Sequence, residues 1–414
     1  MPRILIAGAG QCGLMLALGL QKRGHDVTLL TARTTLEIRQ GNVTSTQCMF
    51  DQTLTMERVL GLDLWPGPQH LIHGIGVSVP GPDGLRALDW LGPLKAPAAS
   101  VDQRVKFSSW LELFEERGGK VTVNYTTVSD LDQLSSRHDL TIVAAGKGEL
   151  SALFERDPVR SPYDRAMRTL AVAYVHGFGP RPEHPDTKAV RMNLLPGLGE
   201  LFLIPALTLS GVCDILFFEA VPGGPLDRFV PDMSPAERLE MILALMREFT
   251  SWEAERAGQV DLTDRGATLL GSYAPMVCHP VAELPSGRLV LGAGDVVVRA
   301  DPITGQGANN AARCADAYLA EIEAAGDGPF DEKFMNRAFA RYWDAVSTCT
   351  QWTNAMLAPP PPHVLDIIGA AQNHPQVAAR FAAGFNDPIT LAPWFLDPVG
   401  AGDYLAQLPD RVGA

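Results

Sequence analysis

Long uninterrupted apolar runs are missing from this chain, and no segment has the length that a membrane span needs. Basic residues are in short supply: 34 Lys and Arg against 47 Asp and Glu leave a formal charge of −13. Such a surface repels phosphate backbones, and the cations form no stripe, so no nucleic-acid partner is expected. Cysteine is sparse and dispersed, at Cys12, Cys48, Cys213, Cys278, Cys314 and Cys349. No pair has C-x-x-C spacing and no Cys/His cluster has ligand spacing, so neither a disulfide framework nor a metal site is expected. Arg3 and the apolar stretch Ile4 to Leu20 look like a secretory leader, but patterned glycines interrupt them and no small-residue cleavage site follows. A cytoplasmic protein with reduced thiols is the expectation. Internal repeats are missing, as is any Ser-His-Asp arrangement or acid/base dyad. Glu112, Glu115 and Glu116 read as a solvated helix face, and His70 and His73 as loop or pocket-edge residues.

What is present is an ordinary globular composition, 46% hydrophobic and 20% charged over 414 residues, enough for two or three structural units. Arg3 to Ala7 suits a buried parallel strand. Gly8-Ala9-Gly10-Gln11-Cys12-Gly13 follows, then helical spacing from Leu14 to Lys22 and a second strand from His25 to Leu30. This βαβ unit carries the dinucleotide fingerprint: Gly8 allows the turn, Gly10 lets backbone approach a pyrophosphate, and Gly13 lets helix and strand pack. The acid that usually ends the second strand is missing. Thr31 and Arg33 stand there instead, and Arg33 could meet a phosphate, which leaves an NADP-dependent dehydrogenase open. From Thr34 to Ser100 no long periodicity survives, and the segment reads as excursions that cover a site rather than form a sheet. A helix is expected over Val105 to Arg117, and strands over Lys120 to Tyr125, Leu140 to Ala144 and Leu289 to Leu291. Leu170 to Val221 reads as antiparallel sheet. Ser234 and Glu237 form a capping box for a helix running to about Arg256. Gly307 to Ala324 is a long helix, and the chain from Asp331 reads as helical, with Pro359 to Pro362 as a rigid connector.

A second motif separates flavin from nicotinamide. Leu291-Gly292-Ala293-Gly294-Asp295, followed by Asp301-Pro302-Ile303-Thr304-Gly305-Gln306-Gly307-Ala308-Asn309, resembles the flavin monooxygenase pattern in which a strand ends in Gly-Asp and a helix starts after Pro-x-x-Gly-Gln-Gly. The resemblance implies that Asp295 contacts the ribityl chain or ribose, and that backbone from Gly305 to Asn309 meets the pyrimidine edge of FAD. A helix N-terminus there would stabilise the negative charge of reduced flavin. Leu94-Lys95-Ala96-Pro97, Val101-Asp102-Gln103-Arg104, Glu116 to Lys120 and Trp352-Thr353-Asn354 narrow the likeness. With them nearly the whole chain resembles the oxygenase components of styrene and indole monooxygenases. Gln11, Cys12, Gln103, Arg104, Val128 and Gly146 complete the expected cofactor contacts.

That resemblance implies an α/β fold: a Rossmann-like FAD-binding domain (1–165 plus 288–330), an inserted antiparallel-sheet substrate domain (166–287) and a helical C-terminal region (331–414). It also implies a two-component enzyme, a homodimer by expectation. A separate NAD(P)H-flavin reductase supplies reduced FAD, which with O2 gives a flavin 4a-hydroperoxide that epoxidises an electron-rich double bond. At six pocket positions this chain has Ser45, Gln47, Met49, Ile72, Ile75 and Ala98, all of the indole type rather than the styrene type. Pro302 and Gly305 are expected beside the reacting ring. Gln47 or Ser45 could accept the indole N–H while Met and Ile supply apolar walls. Indole epoxidation at the pyrrole double bond is therefore the expected function. The rivals are a styrene-type epoxidase or aryl sulfide sulfoxidase of the same group, a single-component NAD(P)H-dependent aromatic hydroxylase, and a non-catalytic flavin- or lipid-binding protein.

Overall fold

The first strand, Arg3–Ala7, lies inside a six-stranded sheet, with Ile4, Leu5 and Ile6 fully buried. A computed structural model describes residues 1–409. Across that sheet the strands run Val281–Glu283, Leu289–Gly292, Leu140–Val143, Arg3–Ala7, Asp26–Thr31 and Lys120–Val123. All neighbours are parallel except the outermost pair, Val281–Glu283 with Leu289–Gly292. The Gln11–Lys22 helix returns beneath the sheet so tightly that a Cβ on Gly13 would fall 1.9 Å from the Gly8 carbonyl oxygen. This is the doubly wound α/β arrangement expected from the βαβ unit.

A second sheet of eight strands stands beside it. Its path is Asp261–Leu262, Thr169–His176, Gly211–Ala220, Gly199–Thr208, Ala189–Leu195, Leu71–Pro80 and Arg86–Ala99, and Thr268–Ser272 also pairs with Thr169–His176. Its two faces alternate with the period of two that strands impose. Val172, Tyr174, Phe202 and Ile204 face one core, while Ala171, Ala173, Leu201 and Leu203 face another beneath the Pro235–Phe249 helix.

Two of these strands correct the sequence reading, which took 34–100 as sheet-free. Leu71–Pro80 is buried over most of its length, so it shows no alternation, and a bulge between Ile72 and Gly74 breaks what pattern remains. It pairs in parallel with Ala189–Leu195, Gly74 against Ala189, inside an otherwise antiparallel sheet. Arg86–Ala99 is an edge strand, which tolerates Pro93 and Pro97. Its Gly92 answers a packing demand, since a Cβ there would sit 2.2 Å from the Ala378 carbonyl oxygen. The large sheet thus reaches outside 166–287 to take in 71–99. The same segment holds an unforeseen helix, Asp51–Leu60, closed by the left-handed Gly61.

The Ser234–Glu237 capping box is present, but the helix ends at Phe249, short of Arg256, because Thr250 takes an extended φ of −142°. The short turn Ser251–Ala254 then delivers buried Glu253 to Arg181 and Arg256. Gly307–Ala325 and Glu332–Met356 are long helices, followed by Pro362–Ala371, Pro375–Asn386 and Pro398–Ala406, each begun by the proline that its first turn accommodates. The last three cover the large sheet, where Trp90 meets Phe381 edge-on at 5.6 Å and donates its indole N–H to the Ile368 carbonyl at 3.0 Å.

Candidate active site between the two sheets

The C-terminal ends of the parallel strands open onto a cleft of about 630 Å³ that continues into a smaller cavity of about 240 Å³ against the large sheet. Gly8 takes φ +122°, and a Cβ there would strike the Ala144 carbonyl carbon at 2.6 Å. A Cβ on Gly10 would meet nothing within 4 Å, so this backbone is bare toward the cleft. The Gln11–Lys22 helix begins there with no side-chain cap, leaving free N–H groups and the positive dipole end for an anion. Thr31 and exposed Arg33 line the outer cleft. The Thr31 hydroxyl is bonded into its own turn, donating to the Arg33 carbonyl at 3.0 Å.

Where cleft and cavity meet, Ser45, Thr46, Gln103, Gly146, Asp295 and Pro302 line both. Asp295 lies deep within the fold with its side chain open to the cleft. Burial raises its carboxyl above the usual range, while Arg299 and Lys147 pull the other way. Arg299 donates to the Gly146 carbonyl at 3.0 Å, and Tyr273 donates to the Ala300 carbonyl at 3.2 Å. Pro302–Thr304 forms a short turn whose first N–H, from Ile303, is accepted by Asp301 Oδ1 at 3.1 Å. Gly305 follows with φ +63°, its Cα side open, and the Gly307–Ala325 helix starts two residues later. Gly305, Gly307 and Ala308 all line the cavity.

Several expected contacts face elsewhere. Arg104 is buried in a bidentate lock with Asp102 and Asp264, at 2.7 to 3.0 Å, and its guanidinium also donates to the Gly41 carbonyl. These partners raise its pKa against the desolvation that opposes them, and Arg104 lies outside the cleft lining. Val128 does not itself line the cleft but starts a helix at its outer rim, its N–H donating to Glu149, which does. Gln306 and Asn309 turn inward to brace loops: Gln306 donates to the Phe385 carbonyl, and Asn309 donates to the Cys48 carbonyl and accepts from the Phe50 N–H and the Thr53 hydroxyl. Gln11 and Cys12 line the inner cavity, and Gln11 is held by buried Glu57, which pairs with Lys106 at 2.5 Å.

Of the six expected pocket positions, Ser45, Gln47 and Ile75 line the cavity. Met49, Ile72 and Ala98 do not: Met49 is bridged to Ala99, and Ile72 pairs with Ala98 in the sheet, all three fully packed. The sequence reading passed over the rest of the wall, Val190, Met192, Phe202, Ile204 and Phe217 from the large sheet, with Phe50, Tyr273 and Phe385. The alternation of Val190 with Met192 and of Phe202 with Ile204 was the available signal. Gln47 donates from Nε2 to the Val101 carbonyl, which leaves its Oε1 without a donor. Among the described residues, no group of three His, Cys, Asp or Glu is placed to hold a metal, and no helix is long and apolar enough to cross a membrane.

The glycine cradle, the uncapped helix start and the open Gly305 turn fit a bound dinucleotide with a flat ring at the junction. Two solved structures share this architecture over nearly the whole chain. A triple mutant of the flavin-dependent brominase Bmp2 superposes with a TM-score of 0.65 at 14% identity, covering 98% of this chain and 99% of that one. A flavoprotein/dehydrogenase from Cytophaga hutchinsonii gives 0.66 at 12%, covering 98% and 100%. Fold and site define a doubly wound α/β protein with a dinucleotide cleft, and sequence likeness makes it a flavoprotein monooxygenase whose cofactor is FAD. Residues 146–256 match the family described as "Styrene monooxygenase A putative substrate binding domain". Over 421 aligned residues the chain is 30% identical to styrene monooxygenase StyA of Pseudomonas fluorescens, covering 100% of this chain and 99% of that protein. The chain belongs to the styrene monooxygenase family, as an oxygenase component of that type.

Proposed function

We propose that this oxygenase epoxidises indole at its pyrrole double bond, using FAD already reduced by a separate NAD(P)H-flavin reductase. The observation that carries the reading is Gln47, a cavity-lining residue whose buried Oε1 has no donor within the fold. A buried acceptor without a donor is costly, and a substrate N–H would relieve it. The surrounding aromatic and aliphatic walls suit a flat bicycle.

The backbone of Gly8 to Gly10 and the following helix start hold the pyrophosphate, with Arg33 at the outer end. Asp295 holds a ribose or ribityl hydroxyl, and the turn from Pro302 to Gly305 places its bare backbone against the ring. Bound reduced FAD activates O2 and supplies the oxygen atom. The protein's part is orientation and exclusion of water, which agrees with a cavity that offers no acid/base dyad. In this reading the enzyme is a cytoplasmic homodimer.

The likeness to styrene monooxygenase StyA favours a second reading, in which styrenes or aryl sulfides are the preferred substrates. One assay separates them: chemically reduced FAD and O2 with indole, styrene and thioanisole. Indole should turn over fastest and give blue pigment. Faster styrene turnover would establish the second reading. NAD(P)H consumption by the protein alone, stimulated by substrate, would overturn the two-component assignment in favour of a single-component hydroxylase.

A further inference from the structure

Outside the cavity, near the Asp301–Gly305 turn, Arg168, Glu200, Glu219 and Asp301 are brought together in the interior, none more than 8% exposed. One cation therefore serves three acids. Arg168 is committed to Glu200, donating from Nε and Nη2 at 2.7 and 2.9 Å, and its remaining Nη1 donates to the Met167 carbonyl. Glu219 stands directly opposite Glu200 in the antiparallel ladder between Gly211–Ala220 and Gly199–Thr208. It is fully buried, and no hydrogen bond of good geometry closes on either of its oxygens. The Asp301 carboxylate lies within reach and already accepts from the Ile303 N–H that starts the turn. Ionised carboxylates crowded in a closed interior with a single committed guanidinium repel one another, so a proton is retained among them.

We propose that Glu219 holds this proton at neutral pH and donates it to the Asp301 carboxylate, so that a neutral acid pins the flavin-facing turn from behind. Glu219 is then a positioning residue: it touches neither substrate nor FAD and acts through Asp301. Burial is the chief cause that pushes Glu219 well above the carboxylate range, with Asp301 and Glu200 adding to it and Arg168 opposing. Burial likewise raises Asp301 and Glu200. Tyr273 and Tyr163, which also sense Asp301, are both raised above their ordinary values, chiefly by burial, and stay neutral. Asp227, in the loop after the Gly211–Ala220 strand, is occupied by the Thr169 hydroxyl and the Gly223 N–H. As pH rises, loss of the Glu219 proton sets two carboxylates against each other at the base of the turn and loosens it.

The effect on cofactor rests on the flavin meeting Pro302 to Gly305, as in the proposed function; the proton does not. The test therefore has two arms. Infrared difference spectra of wild type against Glu219→Gln at neutral pH should show the carbonyl stretch of a protonated carboxylic acid, present only in wild type and shifted by deuterium. Titrations of reduced FAD binding should show wild-type affinity falling about tenfold per pH unit beyond the ionisation of the pair. Glu219→Gln, which keeps a donor but does not titrate, should lose that alkaline decline, whereas Glu219→Leu should bind weakly at every pH. Absence of the protonated-acid band would overturn the proposal whatever the flavin does. An alkaline decline unchanged in Glu219→Gln would overturn the coupling to the turn, and would do so without touching the band.

Discussion

Gln47 and Val101 are joined by a single hydrogen bond, from the Gln47 amide N–H to the Val101 carbonyl, and that bond fixes which end of the amide is left over. The carbonyl end is left buried without a donor, in a residue that lines the cavity. Under the proposed function, selectivity between a substrate with an N–H and one without turns on this residue.

Gln47→Leu should lower turnover of indole relative to styrene by several-fold, the equivalent of about 1 kcal/mol for a lost hydrogen bond. Met49 gives the control. It is packed outside the cavity, so Met49→Leu should leave the ratio unchanged. Competition assays with both substrates and chemically reduced FAD read it directly. An unchanged ratio in Gln47→Leu would show that the wall acceptor does not meet the substrate.

Gly305→Val should weaken reduced FAD binding at least tenfold while circular dichroism stays native. At φ +63° a β-branched residue is strained by roughly 1–3 kcal/mol, and its side chain would project into the space proposed for the ring. Wild-type affinity in this variant would place the flavin elsewhere.

The buried pair Lys106–Glu57, with both side chains 2% exposed, makes a stability prediction. Lys106→Met leaves the Glu57 carboxylate with only the Gln11 amide and should cost about 3–5 kcal/mol in chemical denaturation. Replacing Glu57 with Leu in the same chain should recover most of that loss. A single variant as stable as wild type would mean that water reaches the site.

Asp214 gives a pH test with a definite sign. Burial pushes its pKa up to about 6, with Arg256, Lys188 and His176 pulling down only in part. A carboxyl raised in the folded state lends stability at low pH that is lost as pH rises from its unfolded value through about 6. Asp214→Asn should therefore be more stable than wild type at pH 7, on the order of 1–3 kcal/mol, and nearly equal to it at pH 4. Equal stability at both values would show that the carboxyl is solvated.

The βαβ start and the turn before the Gly307–Ala325 helix were legible because their backbones favour glycine, at Gly8 with φ +122° and Gly305 with φ +63°. The strands at 71–99 were not: burial on both faces erases alternation in Leu71–Pro80, and in the edge strand Arg86–Ala99 prolines interrupt the pattern and Gly92 answers to distant Ala378. Half of the six pocket positions reached the cavity. Ser45 and Gln47 face it, but two residues on, Met49 is drawn into a backbone bridge with Ala99, a tertiary event that no local spacing encodes. Arg104, expected among the cofactor contacts, is paired instead with Asp264 far along the chain, a partner that local spacing does not encode.

The parallel pairing of Leu71–Pro80 with Ala189–Leu195 sets a schedule for synthesis. A nascent chain leaving the ribosome carries Ile72, Ile75 and Val77 long before the strands that bury them exist, and only the edge hairpin with Arg86–Ala99 can form meanwhile. Non-local pairing of this kind is slow and leaves apolar strand exposed to other chains. The vulnerable period in making this enzyme is thus the stretch of translation between its first hairpin and Leu195, and chaperone demand during expression should concentrate there.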